Sequence, residues 1–92
     1  MLDLGLTGKV AVVTGGSEGL GRAAALRLAA EGARVVICAR RKDVLERAGE
    51  TIRQATGVQV LAHPADVTRA ADVEGVVNAT LAAHGGIDIL IN

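Results

Sequence analysis

An apolar run near the N-terminus ends in three spaced glycines, Gly15, Gly19 and Gly21, and a helical pattern follows at once. Gly15 allows the chain to leave a strand in a sharp turn, where a positive φ can be needed. Gly19 lacks a Cβ, so backbone N–H groups can approach phosphate oxygens, and Gly21 lets the next helix pack close to the sheet. The N-terminus of that helix directs unpaired N–H groups at an anion. The turn therefore predicts a dinucleotide pyrophosphate site formed by Gly15, Ser17, Glu18, Gly19, Leu20 and Gly21.

The glycine turn belongs to the first of three strand-to-helix units, which a last strand follows. Apolar runs predict the strands, apolar residues at helical spacing predict the helices, and glycines stand at the helix ends. The predicted strands are 10–14, 34–39, 58–62 and 87–92, and His63 and Pro64 are expected to stop the third. The predicted helices are about 20–31, 42–56, and a third from the N-cap Thr68 to the terminating pair Gly85-Gly86.

The apolar spacing also predicts which faces the helices bury. The first helix is expected to present Leu20, Ala24 and Leu28 on one face. Since such faces cover parallel sheets on both sides, the third helix is expected to contribute a buried stripe as well. That stripe is predicted to contain Val73, Val76, Val77, Thr80 and Leu81.

Strands that alternate with helices predict an α/β fold, a Rossmann-like doubly wound parallel sheet with right-handed crossovers. The expected strand order is 3-2-1-4, from four strands and three helices. The fourth strand would form an edge carrying Ile87, Ile89 and Ile91, and natural sheets seldom leave such an edge open. We therefore interpret residues 1–92 as the N-terminal part of a single dinucleotide-binding domain whose sheet is incomplete.

The composition argues against several classes of function. The formal net charge is zero, so neither nucleic acid nor an anionic membrane is an expected partner. No apolar run reaches the roughly 20 residues of a membrane span, and residues 1–6 lack the pattern of a signal peptide. His63 and His84 have no third ligand at metal spacing, so no metal site is expected. Cys38, the single cysteine, is interpreted as a buried residue in a reducing compartment, and a cytoplasmic location is expected.

Four features, taken in order, resemble the classical short-chain dehydrogenase/reductase family over residues 6–92. They are the turn TGGSEGLG at residues 14–21, which fits the family pattern TGxxxGxG; Arg40 just past strand two; Asp66-Val67 after strand three; and DILIN at residues 88–92, which is similar to the lead-in to the NNAG motif. The resemblance implies a nicotinamide-dependent oxidoreductase that transfers a hydride between its cofactor and a small-molecule carbonyl or secondary alcohol. Relatives usually form dimers or tetramers, so a homo-oligomer is expected for the full-length protein.

The resemblance also implies roles for three residues at strand ends. Asp66 would accept a hydrogen bond from the adenine amino group, with the Val67 backbone beside it. Asn92 would be the first asparagine of NNAG and lie against the cofactor ribose. An Asp or Asn after a strand is also ordinary turn chemistry, and this stays open as the alternative for Asp66 and Asn92.

The end of the second strand bears on the choice of cofactor. An acidic residue there accepts a hydrogen bond from the ribose 2′-OH of NAD, whereas NADP sites remove that charge and supply an arginine. Here Arg40 and Arg41 follow the strand without a carboxylate, and a guanidinium can hold the 2′-phosphate bidentately. Ser17 could add a hydroxyl, whereas Glu18 stands where many NADP-preferring relatives carry Lys or Arg. NADP(H) is favoured over NAD(H); the alternative is that both arginines are solvated residues before a helix.

The sequence contains no tyrosine. In the family that it resembles, a tyrosine is the general acid or base, and a lysine four residues on lowers its pKa. Without such tuning a tyrosine pKa of about 10 suits proton transfer at pH 7 poorly. No residue of this chain is therefore assigned a catalytic role. Three interpretations remain: the N-terminal part of a short-chain dehydrogenase/reductase, a non-catalytic nucleotide-binding module, and a non-functional truncated product.

Overall fold

A computed structural model describes residues 5–92 as three strand–helix units followed by a short strand. The strands are β1 (Val10–Thr14), β2 (Arg34–Ala39), β3 (Val60–Pro64) and β4 (Ile89–Ile91), and the helices are α1 (Gly19–Ala30), α2 (Lys42–Thr56) and α3 (Ala70–His84). Residues 1–4, on which part of the signal-peptide prediction rests, lie outside the described residues. Within residues 5–92, no helix has both the length and the apolar character needed to cross a membrane.

The four strands form one parallel sheet in the order β3-β2-β1-β4, which confirms the predicted topology. Val12 in β1 is in register with Val36 in β2 and with Leu90 in β4. β1 and β2 are buried along most of their length because helices pack on both faces of the sheet. The carboxyl ends of the strands meet at one edge, so the predicted site residues that follow them share that edge.

Alternate residues of the central strands point to opposite faces and form two unequal cores. The larger core consists of residues from β1, β2, β3, α1 and α2 and one residue before β2, namely Val13, Ala25, Ala29, Ala33, Val35, Ile37, Leu45, Ala48, Ile52 and Val60. The smaller core consists of Val12, Val36, Cys38, Ala65 and Val76, of which only Val76 comes from a helix, α3. Among the described residues, one face of the sheet is therefore packed by two helices and the other by one.

Helix α1 buries alanines where the sequence predicts leucine contacts. Ala25 and Ala29 are buried, whereas Leu20, predicted to share the packed face, is 91% exposed. Leu28 is partly buried and packs against the larger core. Small side chains allow the helix to approach the sheet closely, because the distance between packed elements depends on the side chains at the contact. The packed face is therefore centred on the alanines, and the prediction for Leu20 is wrong.

The start of α3 also differs from the prediction. Its N-cap is Arg69, and not Thr68. The Thr68 hydroxyl and N–H both donate to Oδ1 of Asp66, at 2.6 and 3.0 Å, so Thr68 belongs to a turn before the helix and does not cap it.

The predicted buried stripe of α3 is only partly correct. Val76 and Thr80 are buried, but Val73, Val77 and Leu81 are 41%, 37% and 46% exposed. Val73 and Val77 line an open groove beside β4. Helical spacing identifies apolar residues that share a face, but it does not supply the partner that would bury them.

In the structure, β3 begins and ends two residues later than predicted. Its ladder with β2 continues to Pro64, which pairs with Ala39, and the N–H of Ala65 then donates to the Ala39 carbonyl at 2.9 Å. The prediction that His63 and Pro64 stop the strand is therefore wrong. Proline is tolerated here because β3 is an edge strand, where its nitrogen can face away from the neighbouring strand.

β4 is shorter than predicted, since residues 87 and 88 precede it. Asp88 nevertheless connects its start to β1. The Val10 N–H donates to Oδ2 of Asp88, and the Asp88 N–H donates to the Val10 carbonyl, both at 2.9 Å. Because both bonds reach across 78 residues of sequence, they fix where the last strand enters the sheet.

Core burial predicts unequal costs for two apolar truncations. Ile52→Ala removes a side chain that is 1% exposed, so we expect the free energy of unfolding to fall by about 2–5 kcal/mol. Leu20→Ala removes a side chain that is 91% exposed, and we expect a change within about 0.5 kcal/mol. Urea unfolding followed by circular dichroism measures both. Equal losses would contradict the burial of Ile52 in α2 or the exposure of Leu20 in α1.

Candidate dinucleotide-binding site

The glycine turn after β1 has the backbone that its sequence predicts. Gly15 and Gly19 have positive φ angles of 68° and 56°, a region that favours glycine. The N–H groups of Gly15 and Gly16 both donate to the Cys38 carbonyl in β2, at 2.9 and 3.3 Å. These bonds extend the contact between β1 and β2 past Thr14, so the turn begins from a fixed point on the sheet.

Gly21 brings the start of α1 against this turn. A Cβ on Gly21 would overlap the Gly15 carbonyl oxygen, far inside any ordinary contact. The sequence predicted close packing of the helix against the sheet, whereas the nearest neighbour of Gly21 is the backbone of the turn. A Cβ on Gly16 would lie 2.7 Å from Cγ2 of Ile37, a constraint that the sequence analysis missed. The only signal for it was a second glycine directly after Gly15.

The N-terminus of α1 offers backbone donors beside the turn. Glu18 is the N-cap, and its side chain makes no capping hydrogen bond. Arg22 donates to the Glu18 carbonyl at 3.2 Å, which is the first hydrogen bond of the helix. The N–H groups of Gly19, Leu20 and Gly21 therefore have no acceptor within the helix. Together with the positive end of the helix dipole, they suit an anion.

A strand-end cleft lies at the carboxyl ends of β1, β2 and β3. Four residues predicted from the sequence meet in it: Gly15, Arg40, Asp66 and Val67. The cleft is lined by Gly15, Cys38, Ala39, Arg40, Ala65, Asp66, Val67 and Thr68. Arg40 is exposed, so its guanidinium is accessible to a ligand there.

Hydrogen bonds fix both the side chain and the backbone of Asp66. Its Oδ1 accepts from the hydroxyl and from the N–H of Thr68, at 2.6 and 3.0 Å. These bonds, and to a smaller degree the charges of Arg40 and Arg69, hold the pKa of Asp66 below its ordinary value. The Asp66 N–H donates to Oδ2 of Asp72, in the first turn of α3, at 2.8 Å. Neither partner was predicted from the sequence as a site residue, although the Asp-x-Thr spacing is a signal for an Asx turn.

Asn92 follows β4, on the opposite side of β1 from Arg40. The Thr14 hydroxyl lies 3.1 Å from Oδ1 of Asn92 and 3.3 Å from the Ile91 carbonyl, where it can donate. The structure therefore joins the ends of β1 and β4. Asn92 and Val67 also line an apolar groove between α3 and β4, formed by Val12, Thr14, Cys38, Val67, Val73, Val76, Val77, Ile87, Leu90 and Asn92.

Ser17 and Glu18 do not line the strand-end cleft. They line a separate concavity between α1 and α2, together with Arg22, Val44, Arg47, Ala48 and Thr51. Glu18 therefore lines the concavity that contains Arg22 and Arg47, and not the cleft that contains Arg40. The sequence alone does not separate these two places, because only the packing of α1, α2 and β2 fixes which concavity Glu18 and Arg40 each line.

The arrangement of these residues suits ligand binding more than catalysis. Backbone donors at the turn favour an anionic group, while the cleft supplies a carboxylate acceptor and a guanidinium for polar groups on a heteroaromatic base. Among residues 5–92, no three His, Cys, Asp or Glu side chains lie close enough together to hold a metal ion.

Known proteins match this chain along nearly its whole length. A family model described as short chain dehydrogenase matches residues 9–92. Glycine betaine reductase ATRR from Emericella nidulans is 50% identical over 86 residues, which are 94% of this chain but 7% of that protein.

Solved structures match the fold as well as the sequence. L-sorbose reductase from Gluconobacter frateurii, complexed with NADPH and L-sorbose, has a TM-score of 0.96 and 43% identity, over 99% of this chain and 35% of that one. NAD⁺-bound xylitol dehydrogenase has a TM-score of 0.88 and 36% identity, over 92% of this chain and 32% of that one. The chain thus spans about a third or less of the proteins that it matches here.

The closeness of Gly21 to Gly15 predicts a position-specific effect of a single methyl group. Gly21→Ala should lower the midpoint of thermal unfolding, because its Cβ cannot fit beside the Gly15 carbonyl unless α1 moves. Gly86→Ala is the matched control, since a Cβ there meets nothing within 4 Å. Differential scanning calorimetry measures both midpoints. Similar midpoints for the two variants would contradict the close approach.

The lowered pKa of Asp66 predicts a pH dependence with a definite sign. Its folded-state pKa lies below the ordinary 3.8, so its bonds contribute stability above that pH, and this is lost as the pH falls through the folded-state pKa. Thr68→Val removes the first cause of the shift and should raise the Asp66 pKa, whereas Thr68→Ser should keep it low. Carbon-13 NMR titration of the Asp66 carboxyl measures the three values. An unchanged pKa in Thr68→Val would refute the assignment.

Proposed function

Because the chain belongs to the short-chain dehydrogenase family, we propose that it is the cofactor-binding part of a nicotinamide-dependent oxidoreductase. The observation that carries the proposal is the turn after β1, where α1 presents N–H groups without acceptors and Gly21 leaves no room for a Cβ. The whole enzyme would transfer a hydride between the nicotinamide and a small-molecule carbonyl or secondary alcohol. The similar Gluconobacter reductase holds NADPH and a sugar, which supports this class of substrate.

The described residues fit the separate parts of a dinucleotide. The turn and the N-terminus of α1 would hold the pyrophosphate, and Asp66 and Val67 would hold the adenine. Asn92 would contact a ribose, with its amide oriented by Thr14. When bound, the nicotinamide accepts or supplies the hydride. The residues of this chain bind and orient the cofactor.

The proposed cofactor is NADP(H) in preference to NAD(H). Arg40 lines the strand-end cleft, and β2 is not followed there by a carboxylate that could accept from a ribose 2′-OH. Glu18, which would repel a 2′-phosphate, lies in the other concavity with Arg22 and Arg47. Solved relatives contain either cofactor, NADPH in the sorbose reductase and NAD⁺ in the xylitol dehydrogenase, so the proposal rests on Arg40.

The 92 residues by themselves are proposed to bind the cofactor without turnover. They contain no tyrosine, so the family's general acid and the substrate pocket would come from other parts of a longer protein. A homo-oligomer in the cytoplasm is proposed for that protein, and the free, buried Cys38 agrees with a reducing compartment. A non-catalytic nucleotide-binding module is the second candidate, because the absence of tyrosine favours binding alone.

Titration with NADPH and NADH tests the proposal. We expect saturable binding of NADPH, followed by nicotinamide fluorescence. Arg40→Ala should weaken the binding of NADPH by about tenfold or more, since hydrogen bonds to charged groups contribute roughly 1.5–3 kcal/mol. The affinity for NADH, which lacks the 2′-phosphate, should fall much less.

Arg41→Ala is the matched control, because Arg41 is also exposed but does not line the strand-end cleft. It should leave both affinities nearly unchanged. Equal losses of affinity for NADPH and NADH in Arg40→Ala would overturn the preference for NADP(H). No saturable binding of either cofactor would overturn the proposed function itself.

A further inference from the structure

Thr68, in the loop between β3 and α3, and Asp72, in the first turn of α3, both form hydrogen bonds with Asp66. We propose that Thr68 and Asp72 are positioning residues that direct the free oxygen of Asp66 at the amino group of an adenine ring. They thereby make the site selective for adenine over a base that has an oxo group in place of that amino group. The inference rests on the proposed function, since it concerns how that site distinguishes its cofactor.

Thr68 leaves Asp66 with one free oxygen. Its hydroxyl and its N–H both donate to Oδ1, at 2.6 and 3.0 Å, and so occupy the two lone pairs of that oxygen. Among residues 5–92, no donor reaches Oδ2 of Asp66. Because Oδ1 is held from two directions, rotation of the carboxylate is restricted, and Oδ2 is the acceptor that stays available to a ligand.

Asp72 fixes the backbone from which that carboxylate projects. Its Oδ2 accepts from the Asp66 N–H at 2.8 Å, and the Asp66 carbonyl accepts from the Arg69 N–H at 3.0 Å. One residue earlier, Ala65 is bonded to Ala39 of β2. The main chain of Asp66 is therefore held between the end of the sheet and the first turn of α3, where a carboxylate such as Asp72 is favoured by the helix dipole.

The chemistry of the free oxygen explains the selectivity. An ionised carboxylate only accepts hydrogen bonds, and an aspartate side chain is ionised at neutral pH. The amino group of adenine donates, whereas the oxo group of hypoxanthine only accepts and would face the carboxylate as a second acceptor. A site with a fixed acceptor rejects an analogue that lacks the donor more strongly than a mobile acceptor does.

The test compares NADPH with its hypoxanthine analogue, in which an oxo group replaces the amino group and the adjacent ring nitrogen N1 carries a hydrogen. Dissociation constants are measured for the unmodified chain and for Thr68→Val, Thr68→Ser and Asp72→Ala. The unmodified chain should prefer NADPH by at least about tenfold, the factor that a charge-assisted hydrogen bond supplies. Thr68→Val and Asp72→Ala should reduce the ratio of the two dissociation constants several-fold, because they weaken the binding of NADPH alone. Thr68→Ser should keep the ratio of the unmodified chain.

Glu74→Ala is the matched control for Asp72→Ala, because it removes a carboxylate from the same helix without a bond to Asp66. It should leave the ratio unchanged, and circular dichroism shows whether each variant is folded. If NADPH binds but Thr68→Val keeps the full ratio, or weakens both cofactors equally, the positioning role is overturned and the proposed function stands. If the unmodified chain binds neither cofactor, the proposed function is overturned and the positioning role with it.

Discussion

The approach of α1 to the glycine turn is the constraint on which the site depends. The Gly15 carbonyl oxygen lies where a Cβ of residue 21 would have to be, so only glycine lets the helix begin there. The glycine turn is also bonded to β2, because the N–H groups of Gly15 and Gly16 both donate to the Cys38 carbonyl. The direction of the unpaired N–H groups of α1 therefore follows from the pairing of β1 with β2, and the anion site is a consequence of the sheet register.

The sheet itself is packed unequally. The face under α1 and α2 contains a core of ten buried residues from five elements and the loop before β2, whereas the face under α3 contains five. The apolar groove between α3 and β4 follows from this difference, since Val73, Val77 and Leu90 have no described neighbour that covers them. The glycine turn and the strand-end cleft lie at the carboxyl ends of the central strands β1 and β2, and most residues of these two strands are buried.

The polar contacts of the site are of two kinds. Those around Asp66 are local, since Thr68 and Asp72 are two and six residues away along the chain. Those of Thr14 with Ile91 and Asn92 connect residues that only the parallel pairing of β1 and β4 brings together. The local bonds fix the orientation of one carboxylate, whereas the long-range bonds fix the distance between strand ends. A ligand that spans the edge of the sheet needs both.

The sequence predicted the strand order, the bounds of β1, β2 and α2, and the positive φ of Gly15, because apolar runs, helical spacing and glycines are local signals. It misplaced the packed face of α1 and most of the stripe of α3. Helical spacing shows that Leu20 and Val73 lie on an apolar face, but exposure depends on which element lies opposite. It also ended β3 too early, since the tolerance of Pro64 depends on β3 being an edge strand.

The sequence by itself thus determined which residues occupy the strand ends and that a glycine turn follows β1, because turn chemistry and strand periodicity act over a few residues. Only the tertiary structure decided which of them meet. It placed Arg40 with Asp66 in one cleft, Glu18 with Arg22 and Arg47 in another concavity, and Thr68 and Asp72 on Asp66. The reason is geometric: strands far apart in sequence become neighbours only through their register, and hydrogen bonds form only where that register and the loops bring donor and acceptor within about 3 Å.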